Sequence, residues 1–194
     1  MIALAVGAVL GVSGPLLLAA GGSFGQVANL VLAAGWAWAA MAFCVGLGQQ
    51  TRRESVALAV VSLVAAVIAY YVTTLVQGGF VRADLNDPTG RTVRLDWTGF
   101  FTETVLWCIA AVVLGSVLGF AANLARRPGM RGLPFRALVP LVAVVDTSMR
   151  LRSRAPLQPA VDATTWTVIR LVAGGVILLL IVYAALLNQR STRS

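Results

Sequence analysis

The stretch VALAVVSLVAAVIAYYVTTLVQ, residues 56–77, decides the fold class because none of its 22 residues is charged. An α-helix rises about 1.5 Å per residue, so a helix of this length can cross the ~30 Å hydrocarbon core of a bilayer. Tyr70 and Tyr71 are its only aromatic residues. The stretch therefore predicts a membrane-spanning helix.

Other apolar runs of similar length occur along the whole chain, at residues 2–20, 26–48, 98–124 and 163–187. A further segment, 137–154, contains Asp146 and soon reaches Arg150, so it spans only if its helix continues through Arg152 and Arg154. We predict an all-α fold, a polytopic transmembrane helix bundle forming one domain over residues 1–194. Six spans are favoured, and five spans plus a re-entrant segment are the alternative.

Composition excludes most soluble classes. Of the 194 residues, 59% are hydrophobic and only 11% are charged, whereas soluble domains carry roughly 25% charged residues. The chain has no His, which excludes histidine catalysis, haem ligation by His and His-based zinc sites. Its two cysteines, Cys44 and Cys108, lie in apolar runs and form neither a disulfide scaffold nor a CxxC site. The bilayer is the expected partner, and nucleic acid is not.

Arginine distribution predicts the orientation. With six spans, eight Arg lie on one side, in residues 49–55, 125–136 and the short basic tail 188–194, and six lie in the opposite loops. The positive-inside rule then places both termini in the cytoplasm and the protein in the cell membrane. Turn signals at 86–90 predict that the polar outer loop 78–97 is hairpin-like, either a lid or a plain connector.

Ionisable residues inside spans are candidate functional residues because they are costly in hydrocarbon. The candidate catalytic acids are Glu103, Asp146 and Asp162. With six spans they share the outer half of the bundle with the candidate substrate-binding residues, which predicts a single pocket. Those residues are Asn29, Tyr70, Tyr71, Trp97, Trp107, Arg150, Trp166 and Arg170.

Each of these features also has a purely structural interpretation. Asp146 and Arg150 lie four residues apart, on one helix face, and such a pair can simply neutralise charge within a bundle. Trp97 and the two tyrosines can equally be interfacial belt residues. Two GxxxG patterns, at residues 7–11 and 115–119, predict close helix packing. That packing is either within one chain or within a homo-oligomer.

The first eighty residues resemble a family of small actinobacterial multi-pass membrane proteins without an assigned activity. The resemblance rests on G-A-V-L-G-V at 7–12, G-x-x-x-N-L at 25–30, W-A-W-A-A-M-A-F from Trp36, and the Tyr70–Tyr71 pair. In size and residue types the chain is also similar to the small integral-membrane terpene cyclases of meroterpenoid and indole-terpenoid pathways. Those enzymes use intramembrane carboxyl groups and aromatic walls, and this sequence, like theirs, lacks DDxxD and DxDD motifs.

Proton-initiated cyclisation requires a carboxylic acid that stays neutral, and hence lies away from cations. Glu103 has Trp107 one turn further on and no arginine within its own turns, so it is the predicted proton donor. Asp146 would orient the donor or accept the terminating proton, and aromatic faces would stabilise carbocations. We predict a membrane terpene cyclase for a prenylated, for example farnesylated, small molecule, with no metal or cofactor required.

Two other functions stay open. Buried Asp/Arg pairs can exchange partners during alternating access, with Glu103 as a proton carrier, which would make the protein a small proton-coupled transporter or exporter. The ion pairs can also simply lock a binding or scaffold subunit.

Overall fold

The computed structural model describes residues 1–83, 92–154 and 160–191. The helices are α1 (Ile2–Ala20), α2 (Gly22–Leu32), α3 (Gly35–Leu47), α4 (Arg52–Val76), α5 (Trp97–Ala125), α6 (Leu133–Arg136), α7 (Leu138–Arg154) and α8 (Ala160–Ser191). Strands β1 (Val81–Ala83) and β2 (Val93–Leu95) pair antiparallel between α4 and α5. The predicted helical bundle is therefore confirmed, and the antiparallel pair β1 and β2 lies in the loop 78–97 that was predicted to be hairpin-like.

Helix α4 packs between α1 and α5, and glycines on both neighbours allow a close approach. A Cβ on Gly7 of α1 would collide with the carbonyl oxygen of Ser62, and a Cβ on Gly119 of α5 would lie 2.5 Å from that of Ser55. Both serines of α4 are fully buried. Small residues of this kind let helix backbones meet in a membrane, where close packing replaces the hydrophobic effect between helices. The two GxxxG patterns are thus confirmed as packing faces within the chain.

The same contacts fix the directions of the helices. Gly7 packs on Ser62 of α4. Four residues further along both helices, Gly11 packs on Ala66, so α1 and α4 run parallel. Because the chain leaves α1 at one end of the bundle and enters α4 at the other, α2 and α3 together must cross the bundle.

The crossing made by α2 and α3 is bent by 60°. Ala34 has extended backbone angles there, and a helix that ends leaves carbonyl groups without helical donors. The indole Nε1 of Trp38 donates to the carbonyl oxygen of Leu32 at 2.8 Å and satisfies one of them. The sequence predicted an unbroken span over 26–48, because Ala33 and Ala34 carry no helix-breaking signal.

We call the end of the bundle that carries β1 and β2 the hairpin end. There the side-chain amide of Gln77 donates to the carbonyl oxygen of Pro15 at 3.3 Å, joining α4 to α1. Asp96 caps α5 by accepting from the amide of Gly99 at 2.8 Å. The predicted turn residues 86–90 lie outside the described residues, so the hairpin is described by its strands alone.

We call the opposite end, where α3 and α5 finish and α4 and α7 begin, the arginine end. Guanidinium groups there satisfy carbonyl oxygens at the ends of helices. Arg126 donates to the carbonyl of Gln49 after α3, and Arg136 Nε donates to that of Ala125 at 2.7 Å. The Arg52 guanidinium lies 4.0 Å from the centroid of the Phe120 ring.

Helices α7 and α8 pack along each other and complete the bundle. Helix α7 is continuous from Leu138 to Arg154, as the six-span prediction requires. Helix α8 also contacts the 3-10 turn Gly129–Arg131 at the arginine end. Since Asp162, near its first residue, contacts α2 near the hairpin end, α8 runs from the hairpin end to the arginine end.

Four helical segments are long and apolar enough to cross a membrane: Ile2–Ala20, Arg52–Val76, Trp97–Ala125 and Val161–Leu186. The bent pair α2 and α3 brings the count to five if it forms one span. Helix α7 has 17 residues, four of them charged, and is therefore only about 25 Å long. These segments are consistent with a multi-pass protein in a lipid bilayer, while the count of six is not confirmed.

Candidate functional site

An ion pair lies on α7, in its half nearer the hairpin end. Arg150 Nε donates to Asp146 Oδ2 at 2.9 Å, and the two side chains are 34% and 29% exposed. The Arg150 guanidinium also lies 4.9 Å from the ring centroid of Trp166 on α8, and Trp166 is only 1% exposed. The cation is thus held between its own helix and the face of an aromatic ring, and cation–π contacts strengthen when the cation is partly desolvated.

Asp162 connects this pair to the broken span. Gln26 Nε2, on α2, donates to Asp162 Oδ1 at 3.1 Å. Asp162 lies one turn before Trp166 on α8. These contacts therefore connect α2 to α8 and α8 to α7. We call the five residues involved the polar network: Gln26, Asp146, Arg150, Asp162 and Trp166.

Arg170 does not pair with Asp162, although both belong to the predicted stripe on α8. The two residues are eight apart, about 12 Å along a helix, which is too far for a direct bond. The antiparallel packing that sets Arg150 against Trp166 places Arg170 at the level of Asp146, half-buried. Within the described part of the chain Arg170 forms no salt bridge.

An open cavity of about 530 Å³ lies at the hairpin end, beside Gln26. It is lined by Leu18, Gly21, Gly22 and Gln26. Gly21 and Gly22 have φ values of 71° and 74°, which glycine adopts without strain, and they make the tight turn from α1 into α2. Gln26 thus belongs both to the cavity lining and to the polar network.

The second group of predicted residues is aromatic and links α3, α4, the hairpin and α5. Its rings touch in an unbroken series formed by Trp38, Tyr70, Tyr71, Phe80, Phe100, Phe101 and Trp97. Contacting ring centroids are 5.2 to 6.2 Å apart, which is the normal range for aromatic packing. The rings therefore pack on one another and leave no room for a substrate between them.

Glu103 lies beside this aromatic series. Its carboxyl lies near the Tyr71 side chain of α4. The glutamate is nevertheless exposed on the side of the bundle, and Trp107 is 52% exposed on the same helix. Helix α5 has 29 residues, about 43 Å, which exceeds the ~30 Å hydrocarbon core. Glu103, about 9 Å from the start of α5, then lies near the edge of that core.

The contacts described above place most of the candidates in two groups, and the single pocket stays a prediction. Asn29 lies near the aromatic group, since a Cβ on Gly14 would be 3.8 Å from both the Asn29 side-chain oxygen and the Tyr70 ring. The apolar groove of about 410 Å³ elsewhere in the bundle contains none of the predicted site residues. It is lined by Ala5, Val6, Val9, Leu10, Ser13, Leu32 and Met41.

Two structurally important residues were missing from the predicted site. Gln26 is a polar residue near the start of a span, and that was a usable signal. Trp38 gave no such signal, because its hydrogen bond to Leu32 depends on the break between α2 and α3, which was not predicted. Among the described residues no three His, Cys, Asp or Glu side chains are grouped to hold a metal ion.

No family model matches the chain, and no curated protein or solved structure shows significant similarity to it.

Proposed function

We propose that the protein is a small proton-coupled transporter in which Arg150 exchanges carboxylate partners. The observation that carries the proposal is the position of Arg150 between the carboxylate of Asp146 and the ring of Trp166. It is bound to Asp146 at 2.9 Å, and it covers Trp166, one turn from Asp162. Protonation of Asp146 would remove the charge that holds the guanidinium, which could then turn towards Asp162.

The exchange would be coupled to movement of α2. Asp162 now accepts from Gln26 on α2, and a guanidinium that bound Asp162 would compete with this amide. Helix α2 has 11 residues and ends at the 60° bend, so the exchange would require this short helix to pivot about the bend. Transporter binding sites are commonly built at such interrupted helices, and this break favours transport over the other functions considered.

The topology that fits this proposal has six passes through the plasma membrane. Helix α7 would make the fifth of these six passes, from the arginine end to the hairpin end, as a short helix packed against α8. The arginine end faces the cytoplasm because it carries most of the loop arginines, which places both termini there. The polar network then lies in the outer half of the bundle.

The test is proton movement in proteoliposomes. Purified protein is reconstituted with an internal pH-sensitive dye and exposed to amino acids, mono- and dicarboxylates and quaternary ammonium ions in turn. A transporter acidifies or alkalises the lumen with one class of solute, and Asp146→Asn abolishes the signal. Glu54→Gln removes a carboxylate far from the network and keeps the signal. If no solute class moves protons, or if Asp146→Asn retains full flux, the proposal fails.

A second candidate function rests on Glu103 and Tyr71. A carboxyl beside a phenol at the edge of an aromatic series could protonate the terminal alkene of a prenyl chain that lies against α5 in the bilayer. The Glu103 carboxyl would give its proton to one alkene carbon, the cation would close a ring, and loss of a neighbouring proton would yield an isomer. The substrate would be a prenylated small molecule, as a terpene cyclase requires.

Mass spectrometry separates this candidate from transport. The protein is incubated with farnesylated and geranylated indoles and cyclic dipeptides. Cyclisation gives a product of unchanged mass and shifted retention, and Glu103→Gln eliminates it while Asp146→Asn leaves it in place. No conversion across this panel would rule out the cyclase proposal for these substrates.

A further inference from the structure

The turn that follows α5 presents two cations that the fold does not use. Arg127 and Arg131 are both exposed. Among the described residues neither guanidinium forms a hydrogen bond or a salt bridge. Between them Met130 is 54% exposed, and Gly129, with φ of 67°, allows the turn. Two cations thus flank one projecting apolar side chain.

Neighbouring arginines differ in that their side chains are occupied. Arg136 donates to the carbonyl oxygens of Ala125 and Arg127, Arg126 donates to that of Gln49, and Arg52 lies over the ring of Phe120. These three hold helix ends together, whereas Arg127 and Arg131 hold nothing within the described chain.

The arginine end also lacks anions to balance its charge. Glu54 is the only described carboxylate there, and it is engaged with Thr51 in the capping box that begins α4. Six arginines whose side chains the structure describes lie at this end: Arg52, Arg53, Arg126, Arg127, Arg131 and Arg136. An excess of positive charge beside the membrane surface calls for an anionic partner.

We propose that the turn Arg127–Arg131 is a binding site for the headgroup of an anionic phospholipid. The planar guanidinium groups match phosphate oxygens in geometry and charge. The Met130 side chain would enter the apolar region just below the headgroup. Attraction between the arginines and the phosphate and burial of Met130 would then stabilise the same complex. The turn follows the end of the candidate span Trp97–Ala125, so in a bilayer it would lie at the depth of the lipid headgroups.

Native mass spectrometry in detergent tests the proposal. The full-length protein is mixed with equal amounts of phosphatidylglycerol and phosphatidylcholine, and retained lipids are counted. The wild-type chain should retain phosphatidylglycerol preferentially. The double variant Arg127→Gln/Arg131→Gln should lower that preference by roughly thirty-fold, taking about fivefold for each cation near an anionic surface.

The matched control is Arg82→Gln/Arg94→Gln. These two exposed arginines face each other across the β-hairpin, at the opposite end, and their loss changes net charge by the same amount. The control should keep the preference for phosphatidylglycerol. Equal losses in the two double variants would mean that net charge alone attracts the lipid, and an unchanged preference in the turn variant would mean that the turn binds none; either result overturns the proposal.

Discussion

The indole of Trp38 donates from Nε1 to the carbonyl oxygen of Leu32 at 2.8 Å, across the break between α2 and α3. The ring of Trp38 also packs edge-on against Tyr70 of α4, with centroids 6.1 Å apart. One side chain thus satisfies the backbone at the bend and fixes the bend to the central helix. The Trp38 side chain therefore stabilises the angle between α2 and α3.

Trp38→Phe tests that relationship. Phenylalanine keeps an aromatic ring against Tyr70 but removes the donor, so the Leu32 carbonyl loses its partner. We expect the free energy of unfolding to fall by about 1–3 kcal/mol, with faster hydrogen exchange at residues 33–37. Trp107→Phe is the control, because Trp107 is 52% exposed. Equal changes in thermal unfolding for both variants would contradict the assigned role.

Gly119→Ala should destabilise the bundle, and Gly174→Ala should not. A Cβ on Gly119 would lie 2.5 Å from the Ser55 carbonyl oxygen and 2.6 Å from the Val56 Cα, so α4 and α5 would have to separate. Overpacking of this kind costs about 1–3 kcal/mol. A Cβ on Gly174 of α8 meets nothing within 4 Å, and alanine is the better helix former. Opposite shifts in melting temperature are expected in detergent.

Asp96→Ala should weaken the start of α5. The Asp96 carboxylate accepts from the Gly99 amide at 2.8 Å, and loss of an N-cap side chain costs about 1 kcal/mol. Asp96→Asn keeps an oxygen acceptor and should cost much less. Circular dichroism during thermal unfolding would measure both variants. A loss as large for asparagine as for alanine would show that charge, and not capping, stabilises this end.

Much of the helical framework could be predicted from sequence because apolar length is a local property. The helix over residues 56–77 appears as Arg52–Val76, and the 98–124 run as Trp97–Ala125. The glycine pairs were equally informative, since residues one turn apart share a helix face. The continuation of α7 through its arginines was a condition of the six-span prediction, and the helix meets it.

The candidate site was less predictable because these helices are apolar on all sides. In α5 the glycines mark one packing face, but the apolar residues around the rest of the helix do not show which other faces are covered. Glu103 and Trp107 could therefore not be recognised as exposed residues from the sequence. The hydrogen-bond partner of Asp162 could not be predicted either. Gln26 is 136 residues away in the chain, and only the bend in the second span brings the two together.

Substitutions of Asp146 and Arg150 distinguish an ion pair that only neutralises charge within the bundle from one that takes part in transport. Asp146→Leu alone leaves the Arg150 cation two-thirds buried without its partner, and Arg150→Met alone does the same to the carboxylate. Each should lower the free energy of unfolding by about 2 kcal/mol, whereas the double variant should lie within about 1 kcal/mol of wild type, because a neutral pair has no charge to desolvate. Unfolding in mixed detergent micelles measures all four proteins. If the double variant is stable and still moves protons with the wild-type solute, the pair only neutralises charge; if it is stable but inactive, the exchange of partners at Arg150 is the transport step.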